Sequence, residues 1–414
     1  MPNENNSTSN QFSSGSGFID RIQIRNYKSI GNCDLSLGRV TMLVGRNGAG
    51  KSNFLDALRF IADSLDYSLD HAVKARGGID QVRRRSTGHP RNFAIVLHVH
   101  MDNWGLAQYG FEIAARPRSQ YYIKSERLNI ISGNGSIQHH YTISDGNLVG
   151  ASEDRMPPAA ADRLYLVTAS SLPVFRPVYD ALRSVGFYNL NPDVMKELQS
   201  PDAGELLHRD GSNVASVIGR LQLDRPSVIS RVERYLANIT PGVEHVERVT
   251  LGPKETVQFR QAVVGAEHPW RFYGASMSDG TLRALGVLVA VSQLVGRANP
   301  VRLVGIEEPE TALHPAAANA LMDAVFEAAA ETQVVITTHS PELLDAGGGT
   351  AVTPLIVVSD LGQTKIARID EASRGAIEKH LYTAGELHIM DQLELDPVDV
   401  LRQDQLELFE GFEI

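Results

Sequence analysis

The clearest indication of fold in this chain is the stretch VTMLVGRNGAGKSN, which runs from Val40 to Asn53. Its first five residues are apolar and predict a short buried strand. Three glycines follow within six residues, and a segment with apolar residues at helical spacing begins at Lys51. The residues from Gly45 to Ser52 match G-x-x-x-x-G-K-[ST], which is the pattern of a phosphate-binding loop between a strand and a helix.

Each part of this pattern has a physical reason. Glycines allow the backbone to curl, so that successive N–H groups face one anion, and the helix that follows adds the positive end of its dipole. The Lys51 ammonium reaches the β and γ phosphates of a nucleotide, and the Ser52 hydroxyl is a ligand for Mg²⁺. The alternative is an ordinary glycine turn before a helix. We therefore predict a nucleotide-binding set that comprises Gly45, Asn47, Gly48, Gly50, Lys51, Ser52 and Asn53.

A second segment, Leu303–Glu310 (LVGIEEPE), is an apolar strand that ends in paired acids. A carboxylate at the end of such a strand can hold Mg²⁺ opposite the phosphate loop. The next carboxylate can orient or deprotonate an attacking water. We predict that Glu307 is a metal ligand together with Ser52 and that Glu308 is the catalytic base. The alternative is a strand that ends in surface acids.

Two weaker signals follow the same logic. Ser278 and Gly280 precede the helical segment LRALGVLVAV, where a helix N-terminus makes a second anion-binding site. The alternative is an ordinary N-cap and turn. His339 follows the apolar stretch VVITT, where its ring N–H can donate to a γ-phosphate. A lone histidine at the end of a strand is often incidental.

The order of these motifs is phosphate loop, signature, Walker B and switch histidine. The spacing from Gly280 to Glu307, and again from Glu307 to His339, is long enough for one helix and one strand. In this order the sequence resembles the ABC-class ATPases, and more closely their SMC/RecF/OLD branch of DNA-associated ATPases. The opening IDRIQIRNYKSI, Asn47 within the loop and the string GIEEPETALHP carry the closer resemblance. The last of these resembles OLD-type ATPases rather than transporters. The resemblance covers about Phe18–Tyr382.

The resemblance implies a fold and a set of partners. It implies an α/β, ABC-type P-loop NTPase head that hydrolyses ATP with Mg²⁺, with Lys51, Glu308 and His339 as catalytic residues. It also implies a homodimer or higher oligomer, in which two heads enclose ATP. Lys51 and Ser52 of one head then face Ser278 and Gly280 of the other.

Two loops of the ATPase head are also implied by the resemblance. The loop Thr311–His314 would cross the dimer interface beside Glu308. Either Gln81 or the stretch Tyr188–Asn189 would supply the loop that links the lobes.

The chain also departs from its relatives. Glu307 stands where many have Asp, which predicts looser metal geometry, and His314 stands where transporters have Asp. The residues after His339 are too few for the TOPRIM nuclease domain that is fused to full-length OLD proteins. We therefore expect a head that acts with a separate effector protein, such as a nuclease.

Composition bounds the remaining possibilities. The chain has 414 residues, with 39 Lys plus Arg against 49 Asp plus Glu, and a formal net charge of −10. Its single cysteine, Cys33, excludes an internal disulfide and Cys-based metal sites. No apolar run reaches the ~18 residues of a membrane span, and the N-terminus lacks a signal-peptide pattern. We expect a cytoplasmic protein without a membrane partner.

Local charge leaves two questions open. Arg83–Arg85, with Lys74, Arg76 and Arg91 nearby, form a basic cluster that either contacts DNA or is a solvated loop. The acidic C-terminal segment either docks a partner or is a frayed end.

The texture of the chain predicts five segments. The first lobe is rich in strands and RLYLV at 163–167 is expected to close it, while the second lobe alternates helix and strand. The predicted segments are a disordered tail (1–17), a lobe with the phosphate loop (18–169), a short helical insert (170–245), a parallel-sheet lobe with the later motifs (246–385) and an acidic tail (386–414).

The sequence thus predicts an ATP-binding and ATP-hydrolysing protein that dimerises around ATP and controls a DNA-associated process. Anti-phage defence or DNA repair with a separately encoded nuclease is the leading expectation. The alternatives are a nucleotide-gated scaffold with little turnover and, as a weaker candidate, a transporter ATPase subunit.

Overall fold

The computed structural model describes residues 16–86, 90–101, 104–160, 162–293, 301–347 and 352–405. The predicted tail at 1–17 lies outside these residues, except that its last two begin the first strand. The strands are β1 Ser16–Tyr27, β2 Ile30–Gly38, β3 Val40–Val44, β4 Asn92–Met101, β5 Gly105–Arg116, β6 Gln120–Ile131, β7 Ile137–Ser144, β8 Asn147–Ala151, β9 Val185–Tyr188, β10 Val243–Leu251, β11 Lys254–Gln261, β12 Trp270–Tyr273, β13 Leu303–Glu307, β14 Gln333–Thr338, β15 Val352–Asp360 and β16 Gln363–Arg368.

Helices flank these strands, mainly in the second half of the chain. They are α1 Lys51–Asp66, α2 Leu69–Lys74, α3 Ile79–Val82, α4 Tyr165–Ala169, α5 Arg176–Arg183, α6 Pro192–Lys196, α7 Val214–Asp224, α8 Pro226–Ile239, α9 Asp279–Ser292, α10 Ala318–Ala328, α11 Pro341–Ala346, α12 Glu371–Glu378, α13 Ala384–Ile389 and α14 Pro397–Asp404.

One large sheet of thirteen strands runs through the molecule, in the order β8-β7-β6-β5-β4-β1-β2-β16-β15-β3-β14-β13-β9. The strands from β8 to β2 are antiparallel to their neighbours. The strands β15, β3, β14, β13 and β9 are all parallel. The large sheet therefore joins an antiparallel lobe to a parallel lobe, which confirms the predicted fold class.

The parallel strands are buried on both faces. Leu43 of β3 packs in the hydrophobic cluster that contains α1, whereas its neighbours Met42 and Val44 pack in the cluster that contains α9 and α10. Since successive side chains of a strand point to opposite faces, helices cover both sides of this half of the sheet. The predicted strand at 40–44 and the predicted helix from Lys51 are confirmed.

The antiparallel lobe contains the predicted strands, but its closing segment is a helix and not a strand. RLYLV at 163–167 leads into α4, which begins at Tyr165. The buried carboxylate of Glu126 on β6 accepts hydrogen bonds from the backbone N–H groups of Tyr165 (2.5 Å) and Leu166 (2.8 Å). These are two of the orphan donors at a helix start, so a contact distant in sequence stabilises the helix here.

The structure also divides the chain differently from the predicted segments at two places. The predicted helical insert at 170–245 contains β9, which pairs in parallel with β13 at the edge of the large sheet. The predicted acidic tail at 386–414 contains most of α13 and all of α14. The Arg368 side chain on β16 holds α14 by donating two hydrogen bonds, both of 2.7 Å, to Asp399. The residues after 405 lie outside the described part of the chain.

None of the helices in the described part of the chain is both long enough and apolar enough to span a membrane.

Candidate functional site

The phosphate loop joins β3 to α1, and its glycines allow either a left-handed backbone or a close approach to a neighbouring strand. Gly48 and Gly50 have φ angles of 79° and 106°, in the left-handed region that glycine tolerates. A Cβ atom at Gly50 would collide with the Thr364 hydroxyl on β16, and one at Gly45 would collide with the carbonyl oxygen of Val357 on β15. The loop is therefore shaped by the neighbouring hairpin as well as by its own sequence.

Lys51 lies beneath this loop and is 4% exposed. Its Nζ donates to the carbonyl oxygens of Gly45 (2.7 Å) and Arg46 (3.2 Å) and lies 3.7 Å from Glu308 Oε1. Burial lowers the pKa of the Lys51 ammonium, and the negative charges of Glu308 and Glu310 oppose that shift. The ammonium is thus a poorly hydrated cation next to anion-binding backbone, which suits the binding of phosphate oxygens.

Glu308 follows β13 in an unusual backbone conformation. Its φ angle is 44°, in the left-handed region, which costs a non-glycine residue on the order of 1–3 kcal/mol. A hydrogen bond of 2.9 Å from its backbone N–H to the carbonyl of Thr337 on β14 holds this conformation. Such strain persists where the surroundings enforce it, and here it turns the Glu308 carboxylate towards Lys51.

His339 and Glu310 complete this edge of the sheet. The His339 Nδ1 atom lies 3.6 Å from an oxygen of Glu308 and 3.6 Å from an oxygen of Glu310. Glu310 Oε1 accepts hydrogen bonds from the Thr338 hydroxyl (2.5 Å) and from the His339 backbone N–H (3.2 Å). The structure therefore brings together the three predicted catalytic residues Lys51, Glu308 and His339, and it adds Glu310, which the sequence analysis did not assign.

A half-buried arginine of the signature helix, Arg283, interacts electrostatically with the same carboxylates. Burial lowers the pKa of the Arg283 guanidinium, and the charges of Glu308 and Glu310 oppose that shift. Within the described part of the chain, Arg283 Nε and Glu310 Oε2 are buried without a hydrogen-bond partner. An incompletely paired set of buried charges is typical of a functional site rather than of a structural ion pair.

The two predicted metal ligands share a cavity beside α1. Ser52 and Glu307 both line it, together with Tyr188 and Arg209. Within the described ranges no group of three or more His, Cys, Asp and Glu residues could hold a metal ion. Mg²⁺ in nucleotide sites commonly takes one or two protein oxygens and completes its shell with phosphate and water, so a hydroxyl and a carboxylate at one cavity fit it.

The comparisons with known proteins agree with this geometry. Residues 18–131 match the family model described as "AAA ATPase domain", and residues 161–345 match the model described as "AAA domain, putative AbiEii toxin, Type IV TA system". A comparison with curated proteins found no match.

A solved SMC head has the same fold. The SMC head bound to the C-winged helix domain of ScpA is 16% identical, with a TM-score of 0.52 over 86% of this chain and 99% of that one. The Smc head from Pyrococcus furiosus is 13% identical (TM-score 0.49, 88% and 99% covered), and that from Thermotoga maritima is 14% identical (0.42, 85% and 99%). The likeness to the ScpA-bound SMC head shows that the chain has the fold of an SMC-type ATPase head.

The predicted signature segment begins α9. Ser278 is the N-cap, and its hydroxyl accepts a 3.2 Å hydrogen bond from the backbone N–H of Thr281. A Cβ atom at Gly280 would collide with the carbonyl oxygen of Ala312, so glycine is needed for the close approach of the predicted interface loop Thr311–His314. The signature segment thus packs, through Gly280, against the loop that follows Glu308.

Asn47 and Asn53, both predicted to bind nucleotide, have different surroundings. Asn47 is exposed at the tip of the phosphate loop. The Asn53 side-chain amide donates a 2.6 Å hydrogen bond to the Ser29 hydroxyl, which in turn lies 2.6 Å from Thr364 Oγ1. In this structure Asn53 therefore holds the β1–β2 turn against α1 and the phosphate loop.

Of the two candidates for the lobe-linking loop, only one lies at the parallel edge. Tyr188 ends β9 and pairs with Ile306 of β13, so Asn189 follows at the same edge as Glu307. Gln81 lies in the four-residue helix α3, next to the basic cluster. The topology therefore favours Tyr188–Asn189, a contact between strands that sequence spacing could not reveal.

Most arginines of the basic cluster contact other residues of the chain. Arg76 is buried against Asp56 and Asp63, with Nη2 3.0 Å from an oxygen of each. Arg83 donates to the Asp80 carboxylate, Arg84 to the side chain of Gln363 and Arg85 to the backbone of Asp80. These contacts favour a structural role for the cluster, and DNA contact here stays a prediction.

Proposed function

We propose that this ATPase head binds and hydrolyses ATP at the edge where β3, β14 and β13 end. The proposal rests on the position of Glu308 beside the phosphate loop. Its Oε1 atom lies 3.7 Å from Lys51 Nζ and 3.6 Å from His339 Nδ1. Each residue comes from a different strand end, so the group exists only in the folded chain. The strained backbone at Glu308 adds to the case for a catalytic carboxylate.

In the proposed reaction the chain's own groups bind and orient the nucleotide. Backbone N–H groups of the loop and the Lys51 ammonium bind the phosphates, so Lys51 exchanges its carbonyl contacts for phosphate oxygens. Ser52 and Glu307 would hold Mg²⁺, which when bound neutralises charge on the phosphates. Glu308 accepts the proton of the water that attacks the γ-phosphate in line, and His339 donates to a γ-phosphate oxygen.

We further propose that two heads dimerise around ATP. The γ-phosphate of one head would meet the start of α9, with Ser278 and Gly280, in the other. The packing of Gly280 against Ala312 supports this arrangement, since it lets one phosphate contact act on the loop that follows Glu308. An ATP-dependent dimer follows because nucleotide that binds both heads stabilises the pair.

The likeness to SMC heads and to the matching families bears on the cellular role. A DNA-associated process, in defence or repair, with a separate effector such as a nuclease remains our proposal. One solved relative is an SMC head bound to a domain of ScpA, so a protein partner is in keeping with the fold. One matching family is described with a toxin of a toxin–antitoxin system, which is in keeping with a defence role.

One observation favours the second candidate, a nucleotide-gated scaffold with little turnover. The proposed metal ligand Glu307 accepts a 2.8 Å hydrogen bond from Arg209, so an ion pair already uses this carboxylate. A head that accommodates Mg²⁺ poorly would bind ATP and dimerise but hydrolyse slowly.

The test is the light-scattering mass of Glu308→Gln with and without Mg-ATP, measured beside the ATP turnover of the unaltered protein. We expect the variant to become a dimer with ATP and to turn over at least about a hundredfold more slowly than the unaltered protein. An ATP-dependent dimer with negligible turnover in both proteins would favour the scaffold. A mass that ignores ATP in both would contradict the proposed dimerisation.

A further inference from the structure

An arginine from the predicted insert contacts the proposed metal ligand. Arg209 Nη2 donates a 2.8 Å hydrogen bond to Glu307 Oε1, and the two side chains are 44% and 17% exposed. Arg209 lies 98 positions before Glu307. Neither the nucleotide motifs nor the proposed reaction uses it.

The segment that carries Arg209 is held firmly in place. The backbone N–H of Asn189 donates to the carbonyl of Arg209 (2.9 Å), and the N–H of Asn191 donates to that of Asp210 (3.0 Å). Gly211 follows with a φ angle of 82°, and a Cβ atom there would collide with the Met195 side chain. The backbone at Arg209 is therefore fixed against the end of β9 by contacts that do not involve the guanidinium.

Among the charged residues that line the cavity, Arg209 is the ion-pair partner of Glu307. Two acidic residues line this cavity within the described ranges, Asp56 and Glu307. Asp56 is paired with Lys28 (2.6 Å) and Arg76 (3.0 Å). Arg59, a further cation of the lining, pairs with Asp63 at 3.4 Å. A divalent cation at Ser52 therefore has to share Glu307 with Arg209 or displace it.

We propose that Arg209 is a positioning residue that competes with Mg²⁺ for Glu307, so that metal binding and the Arg209–Glu307 ion pair exclude one another. This inference rests on the proposed function, since it assumes that Mg²⁺ accompanies ATP at Ser52 and Glu307. The proposal links the metal site to the segment Leu207–Gly211. The backbone N–H of Leu207 donates a 2.9 Å hydrogen bond to the side chain of Gln293, which directly follows the signature helix.

The test compares ATP binding with and without Mg²⁺. Calorimetry measures the dissociation constant of a non-hydrolysable ATP analogue in excess Mg²⁺ and in EDTA. The ratio of the constant in EDTA to the constant in Mg²⁺ reports how strongly the metal assists binding. We expect this ratio to be about fivefold larger in Arg209→Ala than in the unaltered protein, because a half-exposed ion pair is lost as a competitor. Arg209→Lys should restore part of the competition.

Arg59→Ala is the matched control, since it removes a cation from the same cavity without touching Glu307. It should change the ratio by less than about twofold. A ratio for Arg209→Ala that equals that of Arg59→Ala, or that falls, would overturn the inference. Arg209→Gln provides a second variant of similar length if the alanine variant melts at a lower temperature.

The outcome for the proposed function is read separately. If Lys51→Ala binds the analogue as tightly as the unaltered protein does, nucleotide binding at the phosphate loop is wrong, whatever Arg209 does. If binding depends on Lys51 but Arg209→Ala leaves the ratio of dissociation constants unchanged, the proposed function stands and this inference fails.

Discussion

Glu126 and Glu310 each have buried carboxylate oxygens, but they lie in different halves of the molecule and their surroundings differ. Glu126 in the antiparallel lobe accepts four hydrogen bonds, from the hydroxyls of Tyr141 (2.8 Å) and Tyr109 (3.2 Å) and from two backbone N–H groups at the start of α4. Glu310 in the parallel lobe accepts two, both at Oε1, and its buried Oε2 has no hydrogen-bond partner among the described residues.

The difference separates a structural charge from a functional one. A buried carboxylate with a full set of donors ties the elements around it together, and here it joins three strands to a helix. A buried carboxylate with an unpaired oxygen is costly to keep, and it lies 3.6 Å from the His339 ring. We therefore expect substitutions in the antiparallel lobe to change stability, and those near the phosphate loop to change binding and turnover.

The largest expected effect is at the phosphate loop. Lys51→Ala should weaken ATP binding at least about a hundredfold, because the buried ammonium is the cation closest to the loop carbonyls and contacts the phosphates directly in the proposed complex. Calorimetric titration measures this, and Lys379→Ala on the exposed surface is the control. Binding that is equal in the two variants would contradict the site.

The next effect is on stability alone. Glu126→Ala should lower the free energy of unfolding by about 3 kcal/mol, since it leaves four buried donors unsatisfied. Urea denaturation followed by circular dichroism measures the change. If the variant is as stable as the unaltered protein, the contrast between the two lobes is wrong.

Glu310→Gln is expected to show the reverse pattern. The amide oxygen can still accept from Thr338 and His339, so the free energy of unfolding should change by less than about 1 kcal/mol. Turnover should fall about tenfold, because the charge that helps to orient His339 is lost. Glu342→Gln serves as the control, since Glu342 is bonded to Ser340 on the nearby exposed surface. A loss of stability without a loss of turnover would place Glu310 with Glu126.

The smallest effect is a pH dependence. Burial raises the pKa of Glu126 to about 7, although the hydrogen bonds that the carboxylate accepts act to lower it. In an unfolded chain the pKa of a glutamate is about 4.3. Between these values the folded state holds more protons than the unfolded state, so this residue's contribution to stability falls as the pH rises.

Urea denaturation at pH 5 and pH 8 tests this, with Glu126→Gln as the matched variant. The unaltered protein should lose more stability between the two pH values than the variant does. An equal loss in both would show that Glu126 does not titrate in this window.

The sequence was informative where chemistry is carried by adjacent residues. The strand, loop and helix around Lys51 and the paired acids after β13 are local patterns, and the structure contains them where they were predicted. Glu310 was within reach of the sequence, as the third acid of EEPE, but nothing local says which acid faces His339. Arg209 was out of reach, because its link to Glu307 depends on how β9 joins the sheet.

The clearest failure shows the same limit from another side. RLYLV has apolar residues in a pattern that suits either a strand or a short helix. The choice of helix follows from Glu126, whose carboxylate lies next to two N–H groups that no local residue caps. Propensity is worth a few tenths of a kcal/mol per residue, and a buried charge-assisted hydrogen bond outweighs it.

Sequence alone therefore indicated the nucleotide chemistry and the fold class, since the glycines, Lys51, Ser52 and the strand acids act through neighbours a few positions away. The folded chain added the approach of His339 and Glu310 to Glu308, the Arg209–Glu307 pair and the completeness of the Glu126 network. Each of these joins residues brought together by sheet order, and sheet order depends on burial of both faces of the parallel strands, which no short segment encodes.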